Sequence, residues 1–147
     1  MKKLTVVIPA YNEERNLKKG SLDEVRNFLD QKKFEYEVII VDDGSSDGTK
    51  EIVRKYVSKY GKFKLIENSH GGKAIAVLTG MEKAVGDVVL FTDMDQATPI
   101  NQWDKFLPQF DQDMDIVIGS RQGRKGAPIV RKISAWGFTF FRYSVRV

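Results

Sequence analysis

The chain has 147 residues, 41% of them hydrophobic, which is enough for one domain with a real core and too few for two ordinary ones. It contains no cysteine, which excludes a disulfide framework, thiolate metal ligation and cysteine nucleophiles, and fits a reducing, cytoplasmic location. The formal charge of +4 is unevenly spread: residues 1–120 carry 17 basic and 20 acidic groups, a net of −3, whereas residues 121–147 carry seven cations and no acid. Either the basic end is a solvated helix or it faces an anionic partner.

The predicted elements alternate along the chain. MKKLTVVIPAYNEE has a basic start, but its apolar run stops at Pro9 and meets Glu13 and Glu14. Residues 4–8 therefore read as a strand and not as a signal peptide. A helix is predicted over 14–28 despite Gly20, a strand over 36–41, and a helix over 47–60 with Asp47 as its N-cap. A third strand follows over 63–67. GGKAIAVLTGMEKAV predicts a helix over 72–85 with Ala74, Val77, Leu78 and Met81 on one face, followed by a strand over 87–92. A short helical stretch over 101–110 and a strand over 115–120 complete the regular part. No segment approaches the ~20 apolar residues of a membrane span. Repeated alternation of strand and helix predicts an α/β fold with a parallel sheet covered on both faces.

In such a sheet ligands bind beyond the carboxyl ends of the strands. Those ends read PAYNEE, DDGSSDGT, TDMDQATP and GSRQGRKG, which supply carboxylates, an aromatic ring, small residues and an arginine. That is the composition of a site for a phosphorylated ligand held through a metal. In an extended segment Asp93 and Asp95 point the same way and can address one cation. Hard oxygen ligands without a nearby His or Cys select Mg²⁺ or Mn²⁺. Acids at strand ends also serve turns and caps, and Asp47 has that use. Asp42 and Asp43 directly follow an apolar run, where a turn needs no pair of acids, and can accept hydrogen bonds from a base or ribose. Lys73, at the start of a helix, can reach a nucleotide or phosphate. The phosphate-loop pattern and the G-x-G-x-x-G spacing are both absent.

In this order, VVIPAYNEERNL, EVIIVDDGSSDGT, GGKAIAVLTGMEKAVGDVVLFTDMD and IGSR resemble the family 2 glycosyltransferases of the GT-A fold, over essentially the whole chain. Among these they look like the polyprenyl-phosphate sugar synthases. DMDQATP, followed by GSR and RKISAWGFTFFR, is similar to the D-x-D-x-A-T pattern of the dolichyl-phosphate β-glucosyltransferase branch rather than to the D-L-S-H-x-P of mannose synthases.

The resemblance implies a Rossmann-like three-layer sandwich with a mostly parallel central sheet. It implies one domain over 1–147, with a nucleotide-sugar-binding half over 1–95 and a partial acceptor side over 96–147. It implies that Pro9, Ala10, Tyr11 and Glu13 line the nucleotide base, that Asp42 contacts base or ribose with Lys73 nearby, and that Asp93 completes this side. Asp95 is implied as the principal ligand of Mg²⁺ or Mn²⁺ on the donor diphosphate, with Gln96 beside it. A glucose donor, UDP-glucose, is the first expectation; GDP-mannose is the alternative, and a non-catalytic nucleotide-sugar binding module is another. The implied acceptor is a polyprenyl or dolichyl phosphate held by Arg121, Arg131 and Ser134, with inversion at the anomeric carbon. RQGRKGAP reads as a loop that closes over the donor. Ile129, Ile133, Trp136, Phe140 and Tyr143 share a helical spacing with interspersed cations. That pattern serves a buried core or a basic helix lying peripherally on the cytoplasmic face of a membrane. The family's catalytic domain continues past this length through a D-x-x-x-G-F-K type segment, so the chain reads as C-terminally truncated or as an unusually short member.

Overall fold

Four runs rich in Val, Ile and Phe become strands in the computed structural model, which describes residues 3–106 together with Pro108 and Val117. They are β1 (Lys3–Ala10), β2 (Glu35–Asp42), β3 (Phe63–Glu67) and β4 (Val88–Phe91). All pair in parallel, in the order β3-β2-β1-β4. In β1 and β2 every residue after the first is buried. These strands have no solvent face, as expected for a sheet covered on both sides.

Between the strands run α1 (Glu14–Lys18), α2 (Ser21–Asp30), α3 (Thr49–Lys59) and α4 (Lys73–Glu82). The helix expected over 14–28 is two helices. Gly20 sits between them at φ 88°, a left-handed conformation that glycine adopts without steric cost, and the chain restarts there to bury Leu22, Val25 and Leu29. The helix expected from Asp47 begins at Thr49. Asp47 still accepts from the Thr49 N–H at 3.0 Å, so it satisfies a free donor of the first turn from just outside it.

The predicted face of α4 is corrected more substantially. Its buried residues are Ala76 and Gly80, while Leu78 is 54% exposed. Ala76 packs against Ile39 and Val41 of β2. A Cβ on Gly80 would overlap Val7 Cγ1 and lie 3.2 Å from Val41 Cγ2. The helix therefore approaches the sheet through its smallest residues.

Beyond β4 a 3-10 helix spans Ile100–Lys105, overlapping the first half of the stretch expected to be helical over 101–110. The expected strand over 115–120 and the basic C-terminal helix lie outside the described residues. The chain divides into two compact units, Met1–Asn101 and Gln102–Val147; in the described part of the second, the rings of Trp103 and Phe106 are 6.2 Å apart. Among the described residues no helix is long and apolar enough to cross a membrane.

Register sets the working edge of the sheet. Ala10, Asp42 and Glu67 pair across β1, β2 and β3 at their carboxyl ends. β4 stops level with Val7 of β1, leaving the acids that follow it beside the end of β1. The order β3-β2-β1-β4 also reverses direction between β1 and β4, and such a switch point opens a crevice at the carboxyl edge.

Candidate functional site

The loops after β1 and β2 are joined by reciprocal hydrogen bonds. Asn12, at φ 54°, donates its backbone N–H to Ser45 Oγ at 2.9 Å, and its Oδ1 accepts from the Ser46 N–H at 2.9 Å. The Glu13 N–H donates to Thr49 Oγ1 at 2.7 Å, and the Glu14 N–H donates to Asp47 Oδ2 at 3.2 Å. Glu14 returns a bond, its Oε2 accepting from the Gly48 N–H at 3.1 Å, which also explains the glycine: a Cβ there would lie 2.9 Å from that carboxylate. Burial pushes the Asp47 carboxyl up, but hydrogen bonds from Thr49 and the Glu14 N–H outweigh it and hold the group below its usual range. Glu13 Oε2 accepts from Asn16 Nδ2 at 2.6 Å. Glu13 and Tyr11 thus project from a braced turn.

Beside this brace lies an open cavity of about 250 Å³ lined by the ends of three strands and the start of α4. The end of β1 contributes Pro9 and Ala10 and the turn after it Tyr11 and Glu13; Asp43 follows β2; His70 and Gly72 precede α4 and Lys73 begins it; and the turn after β4 contributes Asp93, Met94 and Asp95. Seven of the eight residues expected on the nucleotide side meet here. Asp42 is the exception. It is the last residue of β2 and fully buried, with Oδ2 accepting from the N–H groups of Gly44 and Ser45 at 3.2 Å and lying 3.7 Å from Lys50 Nζ. Its Oδ1 has no hydrogen-bond partner among the described residues.

Asp93 and Asp95 reach the cavity by a route other than the expected extension. β4 ends at Phe91, and the Gln96 N–H donates to the Asp93 carbonyl at 3.2 Å, closing a turn that leaves Gln96 at φ 50°. Met94, between the acids, is buried, with Ser21 Oγ 3.3 Å from its sulfur. Asp93 Oδ1 lies 2.6 Å from Lys73 Nζ, and Asp95 Oδ1 accepts from the Ala97 N–H at 2.9 Å. Two partly exposed carboxylates on one cavity fit a hard divalent cation that takes its remaining ligands from water and phosphate. Among the described residues no group of three or more His, Cys, Asp or Glu is placed to hold a metal ion by itself.

His70 is the residue that sequence reasoning missed. Its ring stacks on Tyr11 with centroids 4.5 Å apart, and Nδ1 lies 2.9 Å from Asp43 Oδ2 and 3.1 Å from the Asp43 carbonyl oxygen. Both partners on that side are oxygens of Asp43, so Nδ1 is the ring nitrogen that faces it. The acids are thus not remote from histidine, as their sequence surroundings suggest, but this nitrogen is committed to Asp43. The signal was available: NSHGGK follows β3, and only Lys73 was read from it. Arg121, Arg131 and Ser134 lie outside the described residues.

A crevice at a switch point, braced aromatic and acidic loops, and a carboxylate pair after β4 mark the carboxyl edge of this α/β sheet as the candidate site. Residues 5–144 match the family described as glycosyl transferase family 2. The chain is similar to the dolichyl-phosphate beta-glucosyltransferase of Drosophila melanogaster, 43% identical over 134 residues, covering 80% of this chain and 40% of that protein. To the Mus musculus protein of the same name it is 38% identical over 136 residues, covering 82% and 41%. Among solved structures it resembles S. aureus TarS 1–349 in complex with UDP-GlcNAc, with a TM-score of 0.60 and 29% identity, covering 87% of this chain and 37% of that one. It also resembles the mannosyltransferase PcManGT from Pyrobaculum calidifontis in complex with GDP-Man and Mn²⁺, with a TM-score of 0.56 and 30% identity, covering 67% and 29%. The chain belongs to glycosyl transferase family 2 and has the GT-A fold. It spans about 40% of the length of these two curated relatives.

Proposed function

We propose that this chain forms the donor side of an inverting glycosyltransferase that moves glucose from UDP-glucose, with Mg²⁺ or Mn²⁺, to a polyprenyl or dolichyl phosphate. The observation that carries this reading is the meeting of Tyr11, Asp43, Lys73, Asp93 and Asp95 on one cavity. The glucose and lipid assignments draw on the relatives named dolichyl-phosphate beta-glucosyltransferase and on the DQATP segment. UDP draws on the likeness to a protein crystallised with UDP-GlcNAc, and the metal on one solved in complex with GDP-Man and Mn²⁺.

In this reading Tyr11, braced through Asn12 and stacked on His70, offers its ring to the base, and Asp42 and Asp43 fix the loops around the nucleoside. Asp93 and Asp95 would hold the cation, which would supply charge neutralisation for the leaving diphosphate. The acceptor phosphate oxygen attacks the anomeric carbon from the face opposite the diphosphate; that carbon–oxygen bond forms as the bond to UDP breaks, and the configuration inverts from α to β. An ionised phosphate needs no strong general base. Arg121 and Arg131, with Ser134 as a further donor, clamp it. The seven cations of residues 121–147 bring this end to an anionic membrane surface, peripherally on the cytoplasmic face.

The test is incubation of the chain with Mn²⁺, UDP-glucose and a polyprenyl phosphate, with the lipid product analysed for anomeric configuration. The expected product is a β-linked glucosyl lipid phosphate. Arg131→Ala should lower its rate at least about tenfold, the loss expected when one partner of a charged clamp is removed, while UDP affinity stays nearly unchanged. Preferential use of GDP-mannose would move the assignment to a mannose synthase, the reading favoured by the likeness to the GDP-Man complex. UDP binding without transfer from any nucleotide sugar would reduce it to a donor-binding module.

A further inference from the structure

We propose that Lys73 is an internal counter-ion for Asp93 that holds the place of the divalent cation and is exchanged for it when the site loads. This inference rests on reading Asp93 and Asp95 as the carboxylates for that cation. Lys73 Nζ lies 2.6 Å from Asp93 Oδ1 and 5.4 Å from the centroid of the Phe91 ring, so a carboxylate and an aromatic face both locate the ammonium. Its backbone is located as well. Lys73 is the first residue of α4, and the two residues before it are pinned by Asp43, whose Oδ1 and Oδ2 accept from the N–H groups of Gly71 at 2.8 Å and Gly72 at 2.9 Å. Gly72 sits at φ 90°, a conformation strained for any residue with a side chain. The GGK segment thus bridges the end of β2 to the turn after β4 and delivers one positive charge to Asp93.

An ammonium and a dication cannot share one carboxylate oxygen without strong repulsion at such separations. Cation loading therefore displaces Lys73 from Asp93 Oδ1, and the freed ammonium faces the anionic ligand that arrives with the cation. The side chains of Lys73 and Asp93 are 59% and 38% exposed. Ion pairs of that exposure are weak, which suits a placeholder: it keeps the carboxylate oriented and offset in charge, yet yields to a divalent ion. A buried pair would block the site.

The experiment is Mn²⁺ binding to the nucleotide-free chain, followed by electron paramagnetic resonance of the free ion, for wild type, Lys73→Met, Lys73→Gln, Lys73→Arg and Asp95→Ala. Removing the competing charge should tighten Mn²⁺ by about two- to fivefold in both neutral variants, the range an exposed ion pair supports, with Lys73→Arg close to wild type. The same neutral variants should bind UDP more weakly when Mn²⁺ is saturating, a reversal of sign that a purely structural lysine would not produce. If Asp95→Ala weakens Mn²⁺ but the neutral Lys73 variants fail to tighten it, the exchange is wrong and the cation reading stands. If Asp95→Ala binds Mn²⁺ as wild type does, or no variant binds it in the millimolar range, the cation reading fails and takes the exchange with it.

Discussion

Asp42 and Asp43 are adjacent in sequence and differ in use. Asp42 closes its own turn through Gly44 and Ser45, whereas Asp43 reaches forward to Gly71, Gly72 and His70 and so positions residues of the cavity. A third buried carboxylate plays a similar part away from the site. Glu37, 3% exposed, accepts from Thr5 Oγ1 at 2.8 Å, Lys64 Nζ at 2.7 Å and the Val85 N–H at 3.1 Å, tying β1, β3 and the segment after α4 to β2. Burial pushes its carboxyl up, but the bonds from Lys64, Thr5 and Val85 outweigh it and hold the group below its ordinary value of 4.5. A depressed folded-state value means stability that is complete above the ordinary value and lost as pH falls through the lower one. Glu37→Gln should therefore cost about 1–3 kcal/mol at pH 7. The gap in melting temperature between the two proteins should close as pH is lowered from about 5 toward 3. A gap that stays constant across this range would show that the ionised form does not contribute.

At the scale of elements, α4 separates what the sequence makes legible from what it does not. Its strands were readable because runs such as VVI and VIIV leave few alternatives to a buried strand. The face of α4 was not readable: Ala74, Ile75, Val77 and Leu78 make it apolar nearly all round, so periodicity cannot choose a side, and the choice falls to the two residues small enough to lie on Val7 and Val41. Gly80→Ala should add up to about 1 kcal/mol of helix propensity but lose about 1–3 kcal/mol to overpacking, for a net fall of several degrees in melting temperature. Gly61→Ala, where an added Cβ meets nothing within 4 Å, is the matched control and should change it little. An unchanged melting temperature in Gly80→Ala would mean that α4 shifts freely on the sheet. In the candidate site the position of Asp43, Asp93 and Asp95 beyond the strand ends was legible, whereas the use of Asp42 in closing its own turn was not. The Asn12 to Ser45 bonds and the His70 to Asp43 contact were not, because partners some 30 residues apart become visible only once register is known.

For the whole molecule, strand order and charge distribution agree. The order β3-β2-β1-β4 opens its crevice where Tyr11 and Glu13 follow β1 and the acid pair follows β4, while the net positive charge belongs to residues 121–147. The proposed cation at the acids and the proposed anionic partner of residues 121–147 would divide the chain by electrostatic sign as well as by sequence. Calorimetric titration of UDP into the chain with Mn²⁺, with EDTA, and into Asp95→Ala with Mn²⁺ tests most directly whether this crevice is a cation-assisted donor site. UDP should bind with Mn²⁺, more tightly than GDP by several-fold, and should lose at least about tenfold in affinity, or about 1.4 kcal/mol, both in EDTA and in Asp95→Ala. Equal UDP affinity under all three conditions would contradict the assignment of Asp93 and Asp95 to a metal-held diphosphate.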